Sequence, residues 1–434
     1  MPIRNADEEC LAMEERVQRQ IERLQSTLNR AFRSVPFYRN QFIRNGIDPA
    51  RIESFADLSG IPFTGREHLG ENYPYGLFAV PLRDVVRIHT AHGIGLNPTV
   101  SGYTKQDLAV WRDIVARALT AAGICSSDIL QIELDPGLAN WGRDYKEGAE
   151  AVGAGVIPMT ILPPEKQLMV LKDYRTSVLV TSAAAAQQLV HHLFRAGLNP
   201  NELALRTIIL VGEAPDASVR DRLKAELHVN TWVQYGLSEV PGPALAFECE
   251  EFAGLHVSED HFYPEVVDPA TGIPVGEGES GELVLTTLTT RAFPLIRFRT
   301  GDRVRMIPGP CPCGRTLRRM EWSPRRTDEI MTIRGVKVHH RQVLLQIERV
   351  LGFIPASCRF LICRRDLRDC LDVWLKVEEA IFSDEIKEME SLSHRLESEL
   401  AQELGVPVKI RFKESSSFAD PAPSCRLEDL RPEK

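Results

Sequence analysis

The sequence lacks any run of the roughly 18 uninterrupted apolar residues that a membrane-spanning helix requires. Its first twenty residues, MPIRNADEECLAMEERVQRQ, are charged and contain no apolar core of the kind found in secretory signal peptides. It also has no internal repeat and no low-complexity tract. These absences argue against a membrane or secreted protein, and we expect the chain to act in the cytoplasm.

Excess positive charge is missing as well. The 434 residues include 52 Lys and Arg against 60 Asp and Glu, which gives a formal net charge of −8 and a pI near 5.9. Nucleic acids and anionic membranes attract basic surfaces, so neither is expected as a partner. Cysteine is scarce: nine cysteines, an odd number spread over a long chain, predict reduced thiols or metal ligands rather than a disulfide framework.

Short apolar segments alternate with segments of helical period in the first half of the chain. DLAVWRDIVARALTAAG has the spacing of an amphipathic helix, whereas DILQIEL, SVLVTSAA and TIILVGEA are short and apolar, as buried strands are. This alternation predicts a parallel α/β sheet with right-handed crossovers. The composition, 43% apolar and 26% charged, is that of a globular protein with a sizeable core.

The pattern changes near residue 247, where apolar and polar residues alternate between Gly- and Pro-containing turns. We interpret this segment as antiparallel strands that form a small barrel-like subdomain. A last unit, read as helix, two strands, helix and strand, begins near Arg326. The predicted fold class is therefore α/β, with an N-terminal domain over residues 1–325 and a small α+β C-terminal domain over residues 326–434.

The most distinctive segment is YGLSEVPGPALAFECE, from Tyr235 to Glu250. It is followed in order by GLHVSEDHFYPEVVDP, GELVLTTLTTRAFPLIRFRTGD, CPCGRTLRRM and RTDEIMTIRGVKV, and it is preceded by VPFYRNQF and YPYGLFAV. These segments resemble phenylacetate–coenzyme A ligases, a family of adenylate-forming enzymes, from about residue 32 onward. The resemblance implies a mobile C-terminal domain, ATP with Mg²⁺ and coenzyme A as cofactors, and a small carboxylic acid as substrate. It also suggests a homodimer or pairing with a related ligase.

The resemblance implies a nucleotide-binding role for five residues. Tyr235, which opens the YGLSE motif with Gly236, would stack on adenine, while Gly212 and Glu213 would border the adenine and acyl pocket. Asp302, in RTGD, would accept both ribose hydroxyls, since one carboxylate can accept from two O–H donors.

Three further residues carry the catalytic roles that the resemblance implies. Glu239 would hold Mg²⁺, which prefers carboxylate oxygens, and Arg326 would face a phosphate. Asp328 would be the hinge about which the C-terminal domain turns between the two half-reactions.

Two positions depart from the family in a way that affects phosphate binding. The family's phosphate loop reads close to SSGTTGKPT, whereas this chain has AHGIGLNPT from Ala91 to Thr99, so Asn97 replaces a lysine. Near the C-terminus, Pro423 stands where the family has a second lysine. Each lost charge-assisted hydrogen bond is worth roughly 1.5–3 kcal/mol, enough to reduce binding or rate strongly. The sequence therefore leaves two alternatives, a ligase of impaired activity or a non-catalytic homologue that acts as a binding or regulatory subunit.

A third departure concerns the acyl pocket. Where the family has an aromatic, glycine-rich segment, this chain has LDPGLANWGRDYKEG, residues 134–148, with Asp135, Arg143 and Asp144 in it. The greater polarity predicts that the acid need not be phenylacetate.

A candidate zinc site is formed by Cys249, His256, Cys311 and Cys313. Three thiolates and one imidazole are a ligand set for a closed, tetrahedral, structural zinc ion, because four protein ligands leave no open position for catalysis. The spacing is not that of a standard zinc finger, and ordinary reduced residues in turns remain the alternative.

Overall fold

The structure is a computed structural model that describes residues 2–91, 97–134, 139–158, 162–240, 242–334, 336–365, 368–376, 386–414, 417–418 and 425–430. Its helices are Ala6–Glu9 (α1), Met13–Ser34 (α2), Pro36–Arg44 (α3), Arg66–Glu71 (α4), Lys105–Ala121 (α5), Ala139–Val152 (α6), Pro164–Asp173 (α7), Ala183–Arg195 (α8), Ala217–Leu227 (α9), His340–Leu351 (α10) and Ile386–Leu404 (α11).

The strands follow in the same chain order. They are Arg87–Ala91 (β1), Thr99–Tyr103 (β2), Ile129–Ile132 (β3), Gly155–Ile157 (β4), Val178–Thr181 (β5), Thr207–Leu210 (β6), Asn230–Tyr235 (β7), Ala246–Glu248 (β8), Leu255–Val257 (β9), Phe262–Val267 (β10), Ser280–Thr287 (β11), Phe298–Ile307 (β12), Arg319–Arg326 (β13), Ile330–Ile333 (β14), Val336–His339 (β15), Cys358–Arg365 (β16), Arg368–Lys376 (β17), Val408–Lys413 (β18) and Cys425–Asp429 (β19).

A large mixed sheet organises the N-terminal part of the described chain, with strand order β10-β11-β12-β13-β9-β8-β7-β6-β5-β3-β4. Strands β3 to β7 pair in parallel, as the alternating pattern predicted, and the α/β fold class is confirmed. The predicted antiparallel strands are present, and they are continuous with the parallel ones. The reason is that β7 pairs with β6 on one side and, antiparallel, with β8 on the other, so that Tyr235 lies opposite Ala246.

Helices α5 and α8 begin at side-chain caps and bury apolar residues against this sheet. Thr104 caps α5: its hydroxyl accepts from the backbone N–H of Asp107, whose carboxylate accepts in return from the Thr104 N–H. The buried face of α5 includes Trp111 and Ile114, and burial of such side chains contributes roughly 1.5–3 kcal/mol each. Among the described helices, none is both long and apolar enough to cross a membrane.

The C-terminal unit has its own hydrophobic core. A hairpin of β14 and β15 leads into α10, and a four-stranded sheet with order β18-β17-β16-β19 packs against α11. The helix–strand–strand–helix–strand order predicted from the sequence is that of α10, β16, β17, α11 and β18. The proposed division between residues 325 and 326 stays a prediction, since β13 continues through Arg326.

The N-terminal residues are anchored against a loop more than three hundred residues away. Glu9 is fully buried, and its carboxylate accepts from Arg315 Nε at 2.6 Å. The backbone N–H of Thr316 donates to the Glu9 carbonyl at 2.9 Å. The short helix α1 therefore fixes the segment that directly follows Cys313.

Candidate active site and metal centre

Strand pairing brings the predicted nucleotide residues together. Asp302 on β12 lies opposite Arg326 on β13 in the antiparallel register. Tyr235 ends β7 of the same sheet, and its hydroxyl donates to Asp302 Oδ2 at 2.8 Å. Residues that lie far apart in the sequence thus meet at one end of the large sheet.

Asp302 is an ionised acceptor surrounded by cations. Its carboxylate accepts from Arg326 and, at 3.2 Å, from Lys337 Nζ on β15 of the C-terminal unit. Burial alone would raise the pKa of Asp302, but the charges of Arg326, Lys337 and Arg66 outweigh it and lower the pKa to about 2. Asp302 therefore stays charged at any physiological pH, as an acceptor of hydroxyl groups should.

Arg326 and Asp328 form one unit. Arg326 Nε donates to Asp328 Oδ1 at 2.7 Å, and Arg326 Nη2 donates to the Thr300 carbonyl at 2.8 Å. Gly301 makes this arrangement possible: it has a φ of +70°, and a Cβ there would lie 1.8 Å from Asp328 Oδ2. The glycine of the RTGD motif is thus required by both conformation and space.

Glu239 pairs with a residue that sequence reasoning missed. Arg66, at the start of α4, donates from Nε to Glu239 Oε1 at 2.7 Å and from Nη1 to the Thr300 carbonyl at 2.9 Å. Burial would raise the pKa of Glu239, but Arg66 and then Lys337 hold it below its usual 4.5. No motif signals Arg66, because its contact with Glu239 spans 173 positions.

Two buried polar atoms of this pair point to a ligand. Glu239 Oε2 and Arg66 Nη2 have no hydrogen-bond partner among the residues that the structure describes. Buried polar groups are nearly always satisfied, so each orphan atom calls for a partner. A carboxylate oxygen fits Mg²⁺, and a guanidinium nitrogen fits a phosphate or carboxylate.

The predicted adenine-binding residues lie at the same edge of the sheet. Tyr235 is fully buried, and its ring packs edge-on against Trp322 with centroids 4.8 Å apart. Gly212, with a φ of +90°, and Glu213 follow β6, the parallel neighbour of β7. Gly236 allows a close backbone approach, since a Cβ would lie 2.6 Å from the Gly242 carbonyl oxygen.

An adjoining cavity of about 830 Å³ is lined by Ala214, Pro215, Val233 and Trp322, among others. It therefore opens beside both the segment that follows β6 and the ring that packs on Tyr235.

The degenerate phosphate loop falls largely outside the described residues, as does Pro423. Ala91 and Thr99, on either side of these residues, are paired at the ends of the antiparallel strands β1 and β2. Asn97 is described: its side-chain amide is exposed and donates to the Gly70 carbonyl at 3.2 Å. This position holds a neutral amide that is engaged with the neighbouring backbone.

The acyl-pocket segment places one acid in the interior. Asp144 is buried and pairs with Arg87 at 3.0 Å, yet burial raises its pKa to about 7. Its carboxylate lies close to Gly242, where a Cβ would be 2.5 Å from Oδ2. Arg143 is exposed, and Asp135 lies outside the described residues.

The four predicted metal ligands converge. The ligand atoms of Cys249, His256, Cys311 and Cys313 all lie within 4.8 Å of one another. The sulfurs of Cys249 and Cys311 are 3.6 Å apart, and Cys313 Sγ lies 3.4 Å from His256 Nε2. Zinc–sulfur bonds of 2.3 Å in a tetrahedron place sulfurs about 3.8 Å apart, so the spacing fits that ion.

The protonation states of His256 and Cys313 also favour metal binding at this cluster. His256 Nδ1 lies 3.1 Å from the Leu317 carbonyl, which can only accept, so Nδ1 carries the proton and Nε2 offers its lone pair. Burial opposes ionisation of Cys313, whereas the backbone N–H of Arg315, which donates to its sulfur, lowers the pKa of this thiol. A thiolate and a neutral imidazole are the forms that bind zinc.

The fold defined by these elements is that of adenylate-forming CoA ligases. The chain superposes on the solved 2-hydroxyisobutyryl-CoA ligase in its thioesterification state with a TM-score of 0.90 at 23% identity, covering 99% of this chain and 94% of that one. The postadenylation state of the same enzyme gives a TM-score of 0.69 over 98% and 91%. Because those two states share one sequence, the difference reflects how the parts of the molecule are arranged.

The sequence relatives are more specific. Phenylacetate–coenzyme A ligase of Thermus thermophilus is 38% identical over 406 residues, 91% of this chain and 90% of that protein. The enzyme of the same name from Escherichia coli K12 is 35% identical over 415 residues, 95% and 94% of the two chains. This chain belongs to the phenylacetate–coenzyme A ligase family. No protein-family model matches it.

Proposed function

We propose that the chain is an AMP-forming acid–CoA ligase, which activates a small carboxylic acid with ATP and transfers the acyl group to coenzyme A. The supporting observation is the convergence of Glu239 and Asp302 with three cations, Arg66, Arg326 and Lys337. A site of this kind suits a substrate that carries phosphates, ribose hydroxyls and a metal ion.

The roles follow from the chemistry of each group. Asp302 would accept the ribose hydroxyls, and Tyr235, with Gly212, Glu213 and Gly236 nearby, would border the adenine. Glu239 would bind Mg²⁺ through its orphan oxygen, and that ion, when bound, would offset phosphate charge.

Arg326 would face a phosphate, held in place by its two carboxylate partners. Asp328 would act as the hinge, since it follows the last strand of the large sheet and precedes the first hairpin of the C-terminal unit.

Arg66 offers a substitute for the cation missing at Asn97. Its Nη2 atom is buried and lacks a partner among the described residues, so a phosphate oxygen would satisfy it. The non-catalytic alternative rests on the missing lysines, and that argument fails if Arg66 binds the phosphate in their place. The acid itself is expected to be polar or small, because Asp144 lies in the segment that corresponds to the acyl pocket and pairs there with Arg87 of β1.

The chain can be tested with ATP, Mg²⁺ and a panel of aromatic, aliphatic and hydroxylated acids. Acid-dependent ATP–pyrophosphate exchange without coenzyme A, followed by thioester formation with it, is the expected result. Glu239→Gln should abolish exchange although the variant still folds; its unfolding temperature should fall, because Arg66 loses the charge of its buried partner. Nucleotide binding without exchange for any acid would support the non-catalytic alternative instead.

A cationic cavity of about 620 Å³ between the two units is our candidate site for the phosphates of coenzyme A. Its lining combines residues of α8 with residues of the C-terminal unit: Gln188, His191, His192, Arg195, Arg334, Arg365, Cys370, Pro407, Val408 and Lys409. None of these described lining residues is acidic. The thioesterification-state arrangement, which the chain matches best of the two compared above, is consistent with a thiol donor bound between the units.

The charge of this cavity can be reversed without touching the nucleotide site. Arg195→Glu should raise the KM for coenzyme A roughly tenfold, because it replaces one attractive charge with a repulsive one. Pyrophosphate exchange should be unchanged, and Lys172→Ala, at an exposed position on α7, is the control. An unchanged KM would place coenzyme A elsewhere.

The cysteine–histidine cluster is proposed as a structural zinc site. All four positions are filled by protein ligands, which leaves none for a substrate. The cytoplasmic location and the homodimer stay predictions from the sequence.

A further inference from the structure

One lysine of the C-terminal unit enters the candidate nucleotide site. Lys337 lies on β15, where it pairs with Thr332 of β14, and yet its Nζ atom lies 3.2 Å from Asp302 on the large sheet. Its side chain is only 21% exposed. The unit predicted to move therefore delivers a positive charge to the carboxylate predicted to hold the ribose.

We propose that Lys337 is a substrate-contacting cation of the thioester-forming step, which binds the phosphate of the acyl-adenylate and stabilises the AMP that leaves. This inference rests on the ligase function proposed above. It assigns to Lys337 a role that neither the motif residues nor the lost lysines account for.

The hydrogen bonds of Asp302 explain why Lys337 would transfer to a phosphate. Arg326 is fixed by Asp302, Asp328 and the Thr300 carbonyl, so it has little freedom to leave. Tyr235 donates to Oδ2 at 2.8 Å, whereas the Lys337 contact with the same oxygen is 0.4 Å longer, at 3.2 Å. Ribose hydroxyls that occupy Asp302 would displace the longest and most flexible contact first.

The displaced ammonium group then needs another anion. A bound adenylate supplies one, since its phosphate is attached to the same ribose that Asp302 would hold. The site is buried and already contains Arg66 and Arg326, so an unpaired Lys337 charge would be unfavourable there. The four-carbon stem of lysine allows the shift without movement of the backbone.

In the second half-reaction the phosphate gains a negative charge, which the ammonium group of Lys337 can stabilise. The thiol sulfur of coenzyme A forms a bond to the acyl carbon, the bond between that carbon and the phosphate oxygen breaks, and the thiol proton is released. The phosphate of the acyl-adenylate carries one negative charge, whereas AMP leaves with two. A cation at the leaving oxygen stabilises the transition state more than the ground state.

The inference can be tested with AMP and adenosine, which do not require the acid to be known. Isothermal titration calorimetry of the full-length Lys337→Ala variant should show a loss of roughly tenfold or more in AMP affinity. Adenosine affinity should be unchanged or slightly improved, because Asp302 loses a competitor. Lys337→Arg should recover part of the AMP affinity, and Lys387→Ala, at an exposed position on α11, is the control.

Single-turnover kinetics provide a second measurement once exchange assays have identified an acid. Lys337→Ala should slow thioester formation from the acyl-adenylate at least tenfold while pyrophosphate exchange stays within threefold of wild type. Equal losses for AMP and adenosine, or equal slowing of both half-reactions, would overturn the inference and leave the ligase function standing. A wild-type chain that binds neither nucleotide and performs neither half-reaction would overturn both.

Discussion

Removal of Arg66 should destabilise the protein by an amount that depends on pH. The side chains of Arg66 and Glu239 are 7% and 5% exposed, and Arg66→Met would leave the Glu239 carboxylate buried without its partner. Breaking one side of a buried ion pair costs about 3–5 kcal/mol. The substitution also removes the hydrogen bond from Arg66 to the Thr300 carbonyl, and the estimate of about 3–5 kcal/mol includes this loss.

The pH dependence follows from the pKa of Glu239. In the wild type, Arg66 and Lys337 outweigh burial and hold this pKa below 4.5, so the pair contributes stability above pH 4.5. Without Arg66, burial becomes the larger influence and the pKa rises above 4.5. The variant then loses stability as the pH rises through that interval, and the difference from wild type should be larger at pH 8 than at pH 5.

Urea unfolding followed by tryptophan fluorescence at both pH values measures this difference. Arg66→Lys, which keeps a charge, should lose less than Arg66→Met. Arg51→Met is the matched control, because the Arg51 side chain is 87% exposed. A destabilisation below about 1 kcal/mol, or one that is equal at pH 5 and pH 8, would refute the reasoning.

Three further predictions concern single positions. Burial raises the pKa of Asp144 from 3.8 to about 7, so wild-type stability should fall between pH 5 and pH 8, and the unfolding temperature of Asp144→Asn should fall less over that range. Purified protein should contain about one zinc ion per chain by elemental analysis; Cys313→Ser should reduce that content and lower the unfolding temperature by several degrees, whereas Cys125→Ser, at an exposed thiol, should do neither. Gly301→Ala should weaken AMP binding at least tenfold in calorimetry, since its Cβ would overlap the Asp328 carboxylate; near-wild-type affinity would show that this turn can relax.

Periodicity and motif order predicted the parts of the fold that depend on local sequence. The apolar segments around Leu130, Val180 and Ile209 are β3, β5 and β6, and they pair in parallel as the alternation with helices indicated. The joining of parallel and antiparallel strands into one sheet was not predictable in this way. It depends on which edge of β7 receives β8, and alternation within a strand does not identify its neighbour.

The candidate active site shows the same division. Tyr235, Glu239 and Asp302 were found because they stand in recognisable segments, and the structure brings Tyr235 and Asp302 into direct contact. Arg66 was missed because it stands in no recognisable segment, and Lys337 was missed because nothing in RTDEIMTIRGVKV marks its lysine as part of the site. Their significance arises only from the buried carboxylates that they reach from other elements.

The anchoring of Glu9 by Arg315 has a practical consequence for anyone who shortens or tags this chain. Removing the first ten residues would take the Glu9 carboxylate away from the buried guanidinium of Arg315. It would also remove the acceptor of the Thr316 backbone N–H, and both residues closely follow the metal ligand Cys313. Such a truncation, although remote in sequence, should loosen the metal-binding loop. The first ten residues would then help to determine how tightly the purified protein binds its metal ion.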